Sequence, residues 1–216
     1  MTEPEHWDAG RARPFLRVPD ASSDKYRRGV LTVRTGSSAY PGAAVLGVEA
    51  AWRSGVGMVR YAPPSGDAEP RLGLPTPAAA VLAARPETVF LNGHGASDRR
   101  SDAWLIGSGT DPAQRSFAER EEIRALLIGP DPIVLDAGAL IELCDPPVLE
   151  VRAAQDRPAP LAITPHRGEF LTIFAAAGLG TPAGAWARDH GEAPSDAEAL
   201  EAALLLADRL GVTVLL

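Results

Sequence analysis

The stretch VLTVRTGSSAYPGAAVLGVEAAWRSGVGMVRYA, residues 30–62, decides the fold. It opens with Val30–Arg34, a short run rich in β-branched side chains, which pack well on a pleated surface and predict a strand. Small residues follow, and then an alanine-rich segment over 42–54 in which Val45, Val48 and Trp52 recur at helical spacing. Gly55 and Gly57 end that helix. Residues 58–62 form a second apolar run, closed by Pro63 and Pro64. A strand, a helix and a strand in this order predict a parallel pair joined by a right-handed crossover.

The same rhythm continues along the chain. Residues 65–76 are rich in Gly and Pro and predict a loop. Residues 77–84 read as helix and 88–91 as extended. Residues 103–106 read as a strand, followed by a helix that Asp111 and Pro112 are expected to open and that runs to about Ile128. Further strands are expected at 133–136, 161–164 and 212–216. Between them the sequence predicts a short helix over 137–143, a helix from about Glu169, and a helix to about Leu210 that Ser195 and Glu198 open as a capping box. The strands are continuous apolar runs, as a sheet covered on both faces requires. The expected class is therefore α/β: a mostly parallel sheet with helices on both faces in three layers, α/β/α. Residues 1–29 are polar and irregular and predict an N-terminal arm; residues 30–216 make the α/β domain.

Composition narrows the function classes. The 216 residues carry a net charge of −7, and Lys and Arg are scattered, so the phosphate-neutralising patch of a nucleic-acid binder is missing. No run approaches the roughly 18 apolar residues of a membrane span. The first twenty residues hold no apolar signal-peptide centre, and a soluble cytoplasmic protein is expected. Cys144 is the single cysteine, which excludes an intramolecular disulfide and any Cys-rich zinc site. With Ile141, Leu143 and Val148 nearby it reads as an inert buried thiol. The four histidines, His6, His94, His166 and His190, have no metal-ligand spacing, and no metal site is expected.

In a parallel sheet, ligands bind outside the carboxyl ends of the strands. Four such ends carry candidate residues. After the first strand, Gly42 and Ala43 stand at a helix start whose free amides favour an anion; a tight turn is the competing reading. Gly107 and Gly109 flank a turn in which the chain could pass close to a bound group, or could simply join strand to helix. Asp136 ends an apolar strand and could bind a ligand hydroxyl or cap the following helix. His166, Arg167 and Glu169 converge at the last of the four. There His166 could bind a ligand, and Glu169 could accept from a ligand, orient His166 or favour the helix dipole. Arg167 is expected to face solvent. Neither a Walker A loop nor a dinucleotide fingerprint is present, and Ser37 and Ser38 lack a nucleophile-elbow context.

Taken together these segments resemble one family. Lys25-Tyr-Arg-Arg-Gly29, the run from Thr35 to Leu46, Ala51-Trp-Arg-Ser-Gly-Val-Gly-Met-Val59, Leu105-Ile-Gly-Ser-Gly109, Ile133-Val-Leu-Asp-Ala-Gly-Ala-Leu140 and Ile163-Thr-Pro-His-Arg-Gly-Glu-Phe170 are similar, in order and spacing, to segments of the NAD(P)H-hydrate dehydratases. Asp24 stands where that family usually has His, and Ser108 where it usually has Pro. The resemblance implies a ribokinase-like fold and a nucleotide-dependent repair of hydrated NADH or NADPH: ADP or ATP, with Mg2+, phosphorylates the ring hydroxyl and phosphate then leaves. It implies that Ala43, Gly109 and His166 contact the hydrated dinucleotide, with Gly42, Gly107, Asp136 and Glu169 as further candidates. It also implies that the nucleotide-binding strand and the catalytic base, on a G-x-G-D loop, follow residue 216. The chain taken alone is therefore expected to be incomplete, inactive and prone to form a homo-oligomer. Two readings compete: a ribokinase-like small-molecule kinase, and a non-catalytic dinucleotide-binding relative.

Overall fold

A computed structural model describes residues 8–16, 18–20, 22–66, 70, 73–91, 101–187 and 193–216. Of the four histidines, His6, His94 and His190 lie outside the described residues, as does part of the loop expected over 65–76. Residues 9–15 are less irregular than their composition predicts. Asp8 caps a short helix α1 (Ala9–Ala12) by accepting from the Arg11 amide at 2.9 Å, and a 3-10 turn follows at Arg13–Phe15.

Among the described residues, seven strands build one parallel sheet in the order β3-β2-β1-β4-β5-β6-β7. They are β1 (Val30–Arg34), β2 (Met58–Tyr61), β3 (Val89–Phe90), β4 (Ala103–Ile106), β5 (Ile133–Leu135), β6 (Leu161–Ile163) and β7 (Thr213–Val214). The connecting helices are α2 (Pro41–Arg53), α3 (Pro77–Ala84), α4 (Phe117–Leu127), α5 (Pro146–Ala154), α6 (Arg167–Ala176) and α7 (Asp196–Leu210). Single 3-10 segments lie at Ala137–Cys144 and Gly184–Ala187. From β1 the chain steps outward to β2 and β3, then returns to place β4 on the other side of β1. Crossovers therefore leave β1 and β4 in opposite directions, which opens a crevice at their carboxyl ends.

Among the described residues the interior forms two clusters. The first gathers Val33, Val59 and Tyr61 of the strands against Ala44, Val48 and Ala51 of α2 and Val81 of α3. Those α2 positions recur four and three residues apart, one buried stripe of an α-helix. The second gathers Trp104, Ile106, Ile133, Leu135, Leu161 and Ile163 against the inner faces of α4, α6 and α7, including Ile123, Phe170, Phe174 and Leu206. Along β4 the side chains alternate: Leu105 packs on the first cluster, its neighbours Trp104 and Ile106 on the second. Fully burying a Leu or Ile side chain contributes about 1.5–3 kcal/mol, so both clusters matter to stability.

Helix ends follow local chemistry. Thr76 caps α3 by accepting from the Ala79 amide at 3.2 Å. Ser195 and Glu198 form the expected capping box, and Gly211, in the left-handed conformation, closes α7. The helix expected to open at Asp111 and Pro112 opens five residues later, at Ser116 and Phe117. Asp111 instead makes a local turn, accepting from the Ala113 amide at 2.8 Å and the Gln114 side chain at 2.9 Å. Ser116 is the cap of α4, accepting from the Glu119 amide at 3.0 Å. At the amino end of the sheet, the buried Arg152 donates to the carbonyls of Leu127 at 2.8 Å, Ala159 at 3.4 Å and Gly211 at 3.5 Å. Burial lowers its pKa.

Cys144 is mostly buried, with its Sγ 3.7 Å from the carbonyl oxygen of Ile173. Burial pushes its thiol up to about 11, opposed in part by the charge of Arg209. Only the thiolate alkylates, so at pH 8 the native protein is expected to react with iodoacetamide about a hundredfold more slowly than the unfolded chain. Timed mass spectrometry checks this; equal rates in both states would mean that the thiol is open to solvent.

Candidate functional site

The crevice is built from backbone approach. The Gly36 amide donates to the Ser108 carbonyl at 2.7 Å, and the Gly107 amide donates to the Arg34 carbonyl at 3.1 Å. These bonds clip the turn after β4 to the end of β1. Gly107 has φ +110°, and a Cβ there would lie 2.0 Å from the backbone oxygen of Asp136. A Cβ on Gly109, at φ +73°, would lie 2.3 Å from the Cβ of Ala43. Ala43 and Gly109, singled out from separate segments of the sequence, are thus in contact. Gly42 is exposed in the first turn of α2, with open space where a side chain would be.

Asp136 does not cap the segment that follows it. The 3-10 segment has no side-chain cap bond. The Asp136 carboxylate instead accepts from Ser108 Oγ at 2.7 Å through Oδ2 and from Thr164 Oγ1 at 2.9 Å through Oδ1. It joins the ends of β4, β5 and β6.

His166 is the cap of α6. Its Nδ1 accepts from the Gly168 amide at 3.0 Å and the Glu169 amide at 3.4 Å, while the Glu169 carboxylate accepts from the His166 amide at 3.0 Å. The two residues form a reciprocal capping box, with His166 Nε2 3.3 Å from Glu169 Oε1. The His166 side chain is 72% exposed, so the same ring that ends the helix also presents an edge to solvent. Arg167, expected to face solvent, is half-buried and has its guanidinium 5.8 Å from the Trp186 ring centroid, a cation–π contact.

One cleft at this edge is lined by Tyr40, Gly109, Gly138, His166 and Glu169, with Leu140, Ile141 and Ile173 as its apolar surface. A second hollow, lined by Ser37, Ser38, Ser65 and Ser116, adjoins it and shares Tyr40, Thr110 and Asp111. The hydrogen bond from the Gln114 side chain, and then that from the Ala113 amide, hold the Asp111 carboxyl below its ordinary pKa, so the shared wall carries a negative charge. Gly109, His166 and Glu169 therefore face one space, Ala43 stands directly behind Gly109, and Gly107 and Asp136 shape the wall from beneath.

Two buried ion networks support these walls. Arg34, 3% exposed, is gripped by Glu119 and Glu122 and donates to Ser65 Oγ at 3.3 Å. Arg115, its side chain 1% exposed, donates to Glu142 at 2.8 Å, to the Gly138 carbonyl at 2.7 Å and to Thr110 Oγ1 at 3.2 Å. Arg124 reaches the second Glu142 oxygen at 3.1 Å. Tyr40 and Thr110 line the cleft and Arg115 supports it, and none of the three carries a motif that marks it in the sequence. Only the packing of α4 against the 3-10 segment brings Arg115 to Glu142, and no local signal carries that.

Residues 31–216 match the family model described as NAD(P)H-hydrate dehydratase. The chain belongs to that family. Among family relatives, a bifunctional NAD(P)H-hydrate repair enzyme of Mycobacterium tuberculosis is 38% identical over 202 residues, covering 92% of this chain and 34% of that protein. An ADP-dependent (S)-NAD(P)H-hydrate dehydratase of Xanthomonas campestris is 33% identical over 168 residues, covering 76% of this chain and 53% of that protein. The chain thus spans about a third of the bifunctional relative's length and about half of the second. Among solved structures, the ADP/ATP-dependent NAD(P)H-hydrate dehydratase of Bacillus subtilis superposes with a TM-score of 0.70 at 22% identity, covering 100% of this chain and 67% of that one. A ribokinase-like protein of Enterococcus faecalis gives 0.60 at 16% identity, covering 93% of this chain and 61% of that one. The fold of this dehydratase-family chain is therefore the ribokinase-like α/β architecture that its sequence predicts. Among the described residues, no helix is long and apolar enough to cross a membrane.

Proposed function

We propose that the chain forms the substrate-binding part of a nucleotide-dependent NAD(P)H-hydrate dehydratase, acting in the cytoplasm as a homo-oligomer. The observation that carries this reading is the single cleft shared by Gly109, His166 and Glu169, with Ala43 packed behind it, in a chain of that family. The ligand is hydrated NADH or NADPH. Gly109 and Gly138 bring backbone close to it, Ile141 offers apolar contact with the buried Leu140 and Ile173 behind it, and the exposed His166 ring donates or accepts one hydrogen bond. Gly42 extends the cleft at the start of α2. Gly107 and Asp136 act on the ligand through the turn they support, and Glu169 orients His166. ADP or ATP, with Mg2+ on its phosphates, supplies the phosphoryl group that turns the ring hydroxyl into a leaving group. The residues described here bind and orient the hydrate and exclude water from it.

The test separates the two roles of His166. Asparagine is a strong helix cap, so His166→Asn keeps α6 closed while removing the imidazole edge. Calorimetry at pH 7.5 is expected to show hydrated NADPH binding to the wild-type protein, and the variant weakened by about 1–3 kcal/mol, the range for leaving a polar partner unpaired. Its thermal midpoint should stay within a few degrees of wild type. Equal affinity would remove His166 from the site. No binding to the wild type would remove the reading itself.

A further inference from the structure

We propose that Asp136 is the positioning residue of this cleft, setting the gap between the Gly109 turn and His166. The proposal rests on the substrate reading above for its effect on ligand affinity, but not for its effect on the free protein. Asp136 directly follows β5, the strand between the two that carry the cleft walls. Its Oδ2 holds Ser108 Oγ at 2.7 Å, and Ser108 is the middle residue of the Gly107–Gly109 turn. Its Oδ1 holds Thr164 Oγ1 at 2.9 Å, and only Pro165 separates Thr164 from His166. One carboxylate therefore fixes both walls from behind, while neither Asp136 nor Ser108 nor Thr164 lines the cleft itself. Two further contacts report on the walls. The Gly36 amide donates to the Ser108 carbonyl, and the Gly168 amide donates to His166 Nδ1. Charge-assisted bonds to a carboxylate are stronger than neutral ones, which suits a residue that must hold two loops at a set spacing.

Ser108→Ala and Thr164→Ala each cut one of the two bonds, and Asp136→Ala cuts both. Asp136→Asn keeps both with altered polarity, since its amide can accept from one hydroxyl and donate to the other. Amide hydrogen exchange is read in the free protein, with the Ala62 amide, which donates to Val33 in the sheet, as the internal reference. Ser108→Ala is expected to speed exchange at Gly36 alone and Thr164→Ala at Gly168 alone. Asp136→Ala should speed both, each by about tenfold, the equivalent of one lost bond. Asp136→Asn should restore most of the protection. Affinity for hydrated NADPH should fall by about tenfold or more in Asp136→Ala and by less than about threefold in Asp136→Asn.

Uniform acceleration that includes Ala62 would mean that Asp136 only stabilises the fold, and unchanged exchange at Gly36 and Gly168 would mean that it holds nothing; either overturns the proposal. If Asp136→Ala does not fold, the two single hydroxyl variants carry the same decision. A wild-type protein that shows the exchange pattern but does not bind hydrated NADPH would leave the positioning role standing and remove the substrate reading.

Discussion

Gly107→Ala is expected to lower stability by about 2–5 kcal/mol and to distort the cleft even where the protein stays folded. Two costs add. At φ +110° a side chain is strained, which costs about 1–2 kcal/mol. The new Cβ would also lie 2.0 Å from the backbone oxygen of Asp136 and 2.6 Å from the Cβ of Ala139. The Asp136 carbonyl is held by the Ala139 amide at 3.2 Å and cannot rotate aside, so the turn must lift, at about 1–3 kcal/mol for such overpacking. Lifting it pulls on Arg34 through the Gly107 amide and on Gly36 through the Ser108 carbonyl. For a chain of this size the thermal midpoint should fall by roughly 4–20 °C. A midpoint within a degree or two of wild type would show that the turn yields freely.

Glu142→Ala should cost about 3–5 kcal/mol in urea unfolding, because it strands a buried cation. Glu142 is 5% exposed and carries Arg115 on one oxygen and Arg124 on the other, with Arg120 3.4 Å away. Arg124 is partly exposed and has Asp145 and Glu121 as other partners, so it can adapt. Arg115 cannot, since its side chain is almost fully enclosed and its remaining bonds go to Gly138 and Thr110. Both of those residues line the cleft, so affinity should fall with stability. Glu142→Leu combined with Arg115→Met is expected to recover much of the loss in stability, since an apolar pair can replace a buried ion pair at little cost. A loss below about 1 kcal/mol in Glu142→Ala would mean that water reaches Arg115.

Most of the architecture was legible because a parallel sheet writes itself locally. Val30–Arg34, the extent of α2 and the Ser195–Glu198 box each act through near neighbours, although the buried stripe of α2 is Ala44, Val48 and Ala51, with the expected Val45 and Trp52 only partly buried beside it. Where reading failed, two local signals competed or none existed. Asp111-Pro112 looks like a helix start, yet Ser116 with Glu119 three residues on is the working cap, and that pair was visible in the sequence. Helix α5 begins at Pro146 after Asp145 with no apolar period strong enough to predict it, and only Val148 and Arg152 are buried along it. At Asp136 the local options are a cap or a ligand contact; its actual partners Ser108 and Thr164 are each 28 residues away. At His166 the cap does not use up the side chain: Nδ1 closes the helix while the ring stays 72% exposed, with Nε2 3.3 Å from Glu169 Oε1.

The return of the chain from β3 to β4 has a consequence for cooperativity. It divides the interior into one cluster drawn mainly from residues 31–90 and another drawn mainly from residues 104–214. The two halves meet along the β1–β4 ladder and the paired turns above it. Such a seam is where sub-global opening begins, because each half can keep its own interior dry while the other loosens. The cleft straddles it, with Tyr40 on one bank and His166 on the other. A molecule held between them would act as a clasp, adding its binding free energy to the work of parting the halves. Two partly independent melting units in the empty protein would then become one when the cleft is filled.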